Sequence, residues 1–112
     1  MKIVKEKKLK AEAVTGDGAR NAFRTVLIGP KEGSERLAMR FFLVAPGGQT
    51  SLHSHPWEHL IRVEKGEGVV YSGVDGKFKV GPGQCIFIPG GEEHQFINPY
   101  QVPLELLCVI PL

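Results

Sequence analysis

The chain is poor in cysteine. It has two, Cys85 and Cys108, and no Cys-x-x-Cys pair, which argues against a disulfide framework and makes a reducing compartment the expected setting. It lacks an apolar run of membrane-spanning length, a helical heptad, a regular repeat and a low-complexity linker. Neither sign of charge prevails, with 14 Lys and Arg against 12 Asp and Glu. No polyanion-binding stripe results, and nucleic acid is not expected as a partner. The segment Met1 to Lys8 is charged and has no apolar stretch of the secretory type. These absences lead to the expectation of a soluble, cytoplasmic protein with no membrane partner. At 112 residues the expectation is a single domain, 1–112, able to bury a core without covalent staples.

What is abundant is punctuation. Fourteen glycines and eight prolines stand between short apolar runs, a distribution that marks turns. The runs read as strands: Phe23 to Ile28, Leu37 to Val44 ended by Pro46-Gly47-Gly48, Gln84 to Ile88, His94 to Ile97 and Leu104 to Ile110. His59 to Glu64 alternates, with His59, Ile61 and Val63 on one face. Gly68 to Tyr71 and Lys77 to Val80 flank Asp75-Gly76, a hairpin turn. Lys5 to Ala13 reads as a short helix or an edge strand. Many short strands with Gly/Pro corners predict an all-β sandwich or barrel.

All four histidines fall in two clusters. His53, His55 and His59 lie in the run His53-Ser54-His55-Pro56-Trp57-Glu58-His59, and His94 follows later. Histidine is the commonest side-chain metal ligand. Placed on a strand, His53 and His55 share a face, while His59 and His94 each open a further strand. A barrel converging these segments would deliver four imidazoles to one interior point, and imidazole suits Zn, Cu, Fe and Ni. Four protein ligands in a six-coordinate sphere leave two positions open, the pattern of a catalytic site.

The spacing carries a resemblance. Gly47, five residues, His53-x-His55, three residues, His59, six residues and Gly66 form one motif. Gly83, five residues, Pro89-x-Gly91, two residues, His94, three residues and Asn98 form a second. The chain resembles a small single-domain cupin, with motif one over 47–66, motif two over 83–98 and an N-terminal arm over 1–22. The resemblance implies a double-stranded β-helix (jelly-roll) barrel. It also implies a divalent metal on His53, His55, His59 and His94, manganese or iron ahead of nickel, copper and zinc. One departure stands out: His59 replaces the family's usual Glu ligand, and Glu58 lies one place earlier. Alternation points Glu58 away from His59, unless a bulge returns it. Losing a carboxylate leaves the metal a stronger Lewis acid.

Around the ligands, Glu58, Glu92, Glu93 and Asn98 are candidate acceptors for the second ring nitrogens. On the last strand, with Glu105 toward water, Leu104, Leu106, Cys108 and Ile110 point inward, so Cys108 can lie near the metal. Arg40 interrupts an apolar strand and is either an outward residue at a subunit contact or a cation aimed at an anionic substrate. Trp57 either walls the mouth of the site or packs as an anchor. Phe41, Phe87 and Phe96 read as core. Strands apolar on both faces (Ala38 to Val44, Leu104 to Ile110) predict a homodimer. By analogy with similar proteins, the function expected first is a Mn- or Fe-dependent oxidoreductase of dioxygenase type on a small organic substrate. A non-redox isomerase or decarboxylase and a non-catalytic small-molecule binding protein are the alternatives.

Overall fold

The computed structural model describes residues 1–112 as nine strands and two short 3-10 turns, Glu6–Lys8 and Pro30–Glu32. The strands are β1 (Glu12–Ala13), β2 (Arg20–Ile28), β3 (Leu37–Gln49), β4 (His59–Lys65), β5 (Gly68–Ser72), β6 (Gly76–Val80), β7 (Cys85–Ile88), β8 (His94–Ile97) and β9 (Leu104–Pro111). Their order is β6-β5-β8-β3-β9-β4-β7, with β2 added to β3 and β1 to β2. The expected all-β jelly-roll barrel is the observed fold. Both sequence readings of Lys5 to Ala13 hold in part, because the 3-10 turn is followed by the edge strand β1. No helix is long and apolar enough to cross a membrane.

Strand β3 joins the two halves of the barrel. From Leu37 to Val44 it pairs with β9, and at Gln49 it pairs with β8 through Ile97. The sequence predicted a stop at Pro46-Gly47-Gly48, yet the strand continues through these residues to Gln49. Left-handed backbone at Gly47 (φ 76°) and at Asn21 on β2 (φ 48°) turns the corner, and the β2–β3 register shifts between Arg20 and Ala22. At Gly48 a Cβ would lie 2.6 Å from the Asn21 carbonyl oxygen, so the close approach of the two strands requires glycine.

The core lies between the halves. Val44, Val63 and Leu104 are fully buried, and Ile61, Val70, Ile88, Phe96, Leu106 and Cys108 pack with them. Alternation on β9 runs as expected, with Leu104, Leu106 and Cys108 inside and Ile110 half-buried against the core. The outward face of the stretch β3-β9-β4-β7 is also apolar. Register sets Phe41 beside Leu107, Met39 beside Val109, and Leu60 beside both Val109 and Phe87. Of the phenylalanines expected in the core, Phe41 is half-buried on this outer face and Phe87 is 55% exposed, and only Ile88 of β7 is buried. Strand β7 is the edge of the sheet, so its outward side chains have no neighbour beyond it.

Candidate metal centre

His59 is the first residue of β4 and points inward with Ile61 and Val63, as the period-two pattern requires. His94 opens β8. His53 and His55 do not sit on a continuous strand. The chain leaves β3 at Gln49, and His53 then forms a lone antiparallel bridge with His94, with main-chain N–O distances of 3.3 and 3.0 Å. Upstream of the bridge, the Thr50 N–H donates to the Phe96 carbonyl at 2.8 Å, and Gln95 Nε2 donates to the Thr50 carbonyl at 2.9 Å. Downstream, the Gly91 N–H donates to the His55 carbonyl at 2.6 Å. A Cβ at Gly90 would collide with the Pro56 carbonyl, so a glycine lets the two loops close on each other.

These elements bring the four imidazoles together. Ring centroids lie 4.6 Å apart for His53–His55, 4.3 Å for His55–His59, and 5.1 Å for His94 against each of the other three. His53, His55 and His94 offer ring nitrogens within 4.8 Å of one another. His59 is not in that group of three; its ring packs against His55 and His94, and it is 6% exposed. Nε2 of His59 and Nδ1 of His55 are buried and have no hydrogen-bond partner. Buried polar atoms without partners are uncommon in folded proteins, and a cation at the centre of the group is what such nitrogens fit. His94 Nδ1–H donates to the Glu92 carbonyl at 2.8 Å, which leaves its Nε2 lone pair free. His59 Nδ1 lies 3.9 Å from Cys108 Sγ.

Electrostatics favour neutral rings. Burial, and then the neighbouring His55 and His94, push His59 down to about 3. Burial, followed by His53 and His94, pushes His55 down to about 4. His53 is lowered by burial and by His94. Desolvation disfavours the imidazolium, and the neutral ring is the form that ligates a metal. Burial also raises the Cys108 thiol, an effect tempered by the guanidinium of Arg40.

The rings stand in a cavity of about 360 Å³, also lined by Arg40, Arg24, Asp17, Cys108 and Trp57. Arg40 therefore faces inward and is not an outward residue at a subunit contact. Trp57 stacks on His55, with centroids 4.5 Å apart and planes 1° apart, and is 41% exposed, so it walls the mouth. The candidate acceptor side chains fall elsewhere. Glu58 is exposed and away from the cavity. The Glu92 carboxylate accepts from Ser72 Oγ at 2.7 Å, and that of Glu93 meets the Tyr71 hydroxyl at 3.4 Å. Asn98 is fully buried, donates to the Val44 and Val102 carbonyls at 2.9 Å each, and accepts from the Tyr100 N–H at 3.0 Å. It ties loops together and orients no imidazole. Sequence reasoning missed Arg24 and Asp17. The only signal for Asp17 was its place between Gly16 and Gly18, a turn that carries it to the cavity wall with φ 52°.

Comparison with known proteins gives a family and several relatives. The family model described as a cupin domain matches residues 40–110. A 1-methylthio-D-xylulose 5-phosphate methylsulfurylase of Rhodospirillum rubrum is 35% identical over 72 residues, which is 64% of this chain and 46% of that protein. A mannose-1-phosphate guanylyltransferase of Klebsiella pneumoniae is 43% identical over 67 residues, 57% of this chain and 14% of that protein. The matched region thus spans less than half the length of either curated relative. Among solved structures, the polyketide cyclase RemF of Streptomyces resistomycificus superposes with a TM-score of 0.93 at 38% identity, over 99% of this chain and 79% of that one.

Proposed function

The chain belongs to the cupin domain family, and from that premise we propose that it holds a divalent metal ion on His53, His55, His59 and His94 and transforms a small organic substrate without redox change. The observation that carries this reading is the packing of four imidazoles against one another, with partnerless nitrogens on His55 and His59. The ion, manganese or iron ahead of nickel, copper and zinc, would supply Lewis-acid polarisation of a substrate carbonyl. The similarity to a polyketide cyclase over nearly the whole chain supports carbonyl chemistry over oxidation. His94 is held by the Glu92 carbonyl and His59 by Cys108, contacts that fix ring orientation. Trp57 shields the His55 side from water. Asp17, the one carboxylate lining the cavity, is placed to carry a proton at its Oδ atoms. The two unpaired cysteines fit a reducing, cytoplasmic setting.

One observation favours a dioxygenase-type oxidoreductase as the second reading. The cavity holds a single carboxylate, and oxidation of an electron-rich substrate asks less of a protein base than enolisation does. Elemental analysis of the protein as isolated tests the metal, with about one ion per chain expected, lost in His59→Ala and His94→Ala. Turnover of β-diketones and poly-β-ketones by zinc-loaded protein, without oxygen uptake, supports the first reading. Oxygen uptake with catechols, flavonols or β-diketones that disappears on zinc loading supports the second. A protein that retains no metal would overturn both.

A further inference from the structure

Arg40 is the least explained polar residue of the interior. It projects from β3 into the cavity, directly opposite Cys108 in the β3–β9 register. Its Nε is buried and has no hydrogen-bond partner, and its guanidinium carbon lies 5.2 Å from the Phe42 ring centroid. The ion pairs of the chain join Arg62 to Glu64 and Lys79 to Glu67, so Arg40 has no carboxylate within ion-pair distance, and its side-chain partner is the Cys108 thiol. A second cation, Arg24, enters the same cavity from β2, in register with Phe42. Two of the cavity's hydroxyls are already committed: Ser51 Oγ donates to the Gly16 carbonyl at 3.0 Å, and Thr50 Oγ1 accepts from the Phe96 N–H at 2.9 Å. Leaving a half-buried guanidinium without a counter-charge beside it is unfavourable. A thiol supplies no full counter-charge, and an anion from outside the chain can.

Resting on the metal-centre reading above, we propose that the substrate carries a carboxylate, seated on the Nε–H and Nη–H edge of Arg40 beside the metal position. The guanidinium fork matches two carboxylate oxygens in a plane. The ring of Phe42 and the side chains of Ile61, Phe96 and Leu106 line the same cavity, and they suit an apolar body attached to that anion. Arg24, lining the same cavity, adds field and draws the anion in. Asp17 lines the same cavity and opposes a second negative charge, which disfavours a phosphate dianion. Arg40 thereby selects acids from among the carbonyl compounds that a Lewis-acid centre would accept.

The test is calorimetric titration of benzoate, benzamide and inorganic phosphate into the full chain, both as isolated and after metal removal. Benzoate should bind at least tenfold more tightly than benzamide or phosphate in both forms. Arg40→Met should weaken benzoate at least tenfold and leave benzamide unchanged, with Arg40→Lys between the two. Since Met removes an uncompensated cation, the midpoint of thermal unfolding should hold or rise. Should the Met variant fail to fold, Arg40→Lys and Arg40→Gln carry the same comparison. Benzoate bound as well by the variants as by the parent chain, benzamide equal to benzoate, or phosphate tighter than benzoate would each overturn the proposal. Metal content measured on the same samples keeps the two readings apart. Loss of the metal reading leaves the Arg40 comparison in metal-free protein standing, and a flat Arg40 comparison leaves the metal content untouched.

Discussion

His59 Nδ1 and Cys108 Sγ face each other at 3.9 Å across β4 and β9, both buried. The contact ties a ring on the first residue of one strand to a thiol near the end of another. If Nε2 of His59 ligates the ion, Nδ1 carries the ring proton and the sulfur accepts it. Partners of this kind hold ring orientation, and their loss costs 10–100-fold in metal affinity. Cys108→Ala should therefore weaken metal binding by roughly tenfold, with Cys108→Ser recovering part of the loss. Competition against a chromophoric chelator measures it. Equal affinity in all three proteins would reduce the thiol to a packing group.

Asn98 gives a contrasting prediction, on stability. Its amide nitrogen satisfies two main-chain carbonyls, Val44 O on β3 and Val102 O in the loop before β9, and its oxygen takes the Tyr100 N–H. Removing it strands buried backbone groups, each lost bond costing on the order of 1 kcal/mol or more. Asn98→Ala should destabilise by about 2–4 kcal/mol in urea unfolding. Any variant that folds should keep its metal content, because Asn98 touches no imidazole.

Much of this architecture was legible in the sequence because it is local. The alternation of His59, Ile61 and Val63 gave β4 its inward face, and Asp75-Gly76 marked the β5–β6 turn, where Gly76 has φ 91°. The clustering of the four histidines was visible in spacing alone. What stayed hidden depends on neighbours distant in sequence. Arg40 lies on a strand whose two faces, Ala38/Arg40/Phe42/Val44 and Leu37/Met39/Phe41/Leu43, are almost equally apolar, so alternation could not assign it a side. The hold on His94 is a main-chain carbonyl, which no residue type announces. Phe87 looked like core because hydrophobicity does not distinguish an edge strand from a central one.

The histidine cluster sets a pH dependence for the metal-free protein. His53, His55 and His59 all titrate below the ordinary value of 6.5, His55 at about 4 and His59 at about 3. As pH falls below 6.5, the unfolded chain takes up protons at these sites that the folded chain refuses. Stability contributed by the neutral rings is complete above 6.5 and is lost progressively down to the folded values. The midpoint of thermal unfolding of chelator-treated protein should fall between pH 7 and 5. His59→Gln should flatten that slope. A midpoint unchanged across this window in the parent protein would mean the rings are not held neutral by burial.

The outer face of the stretch β3-β9-β4-β7 carries a contiguous apolar patch. Met39, Phe41 and Leu43 on β3 adjoin Leu107 and Val109 on β9, and Leu60 and Phe87 extend the patch across β4 and β7, each 55% exposed. Contiguous apolar surface of this kind on a small domain marks an interaction site, and a two-fold contact lets the same patch serve both partners. Light scattering should give twice the 12.3 kDa chain mass. A charge at the middle of such a contact is left buried and unpaired, which weakens association steeply. Leu60→Glu and Phe87→Glu should therefore shift the protein to monomer while the inward face of β4, and with it His59, keeps its place. Retained metal in a monomeric Leu60→Glu variant would show that each chain builds its own centre. Metal lost together with the dimer would mean that sheet-to-sheet packing is what holds β4 in register.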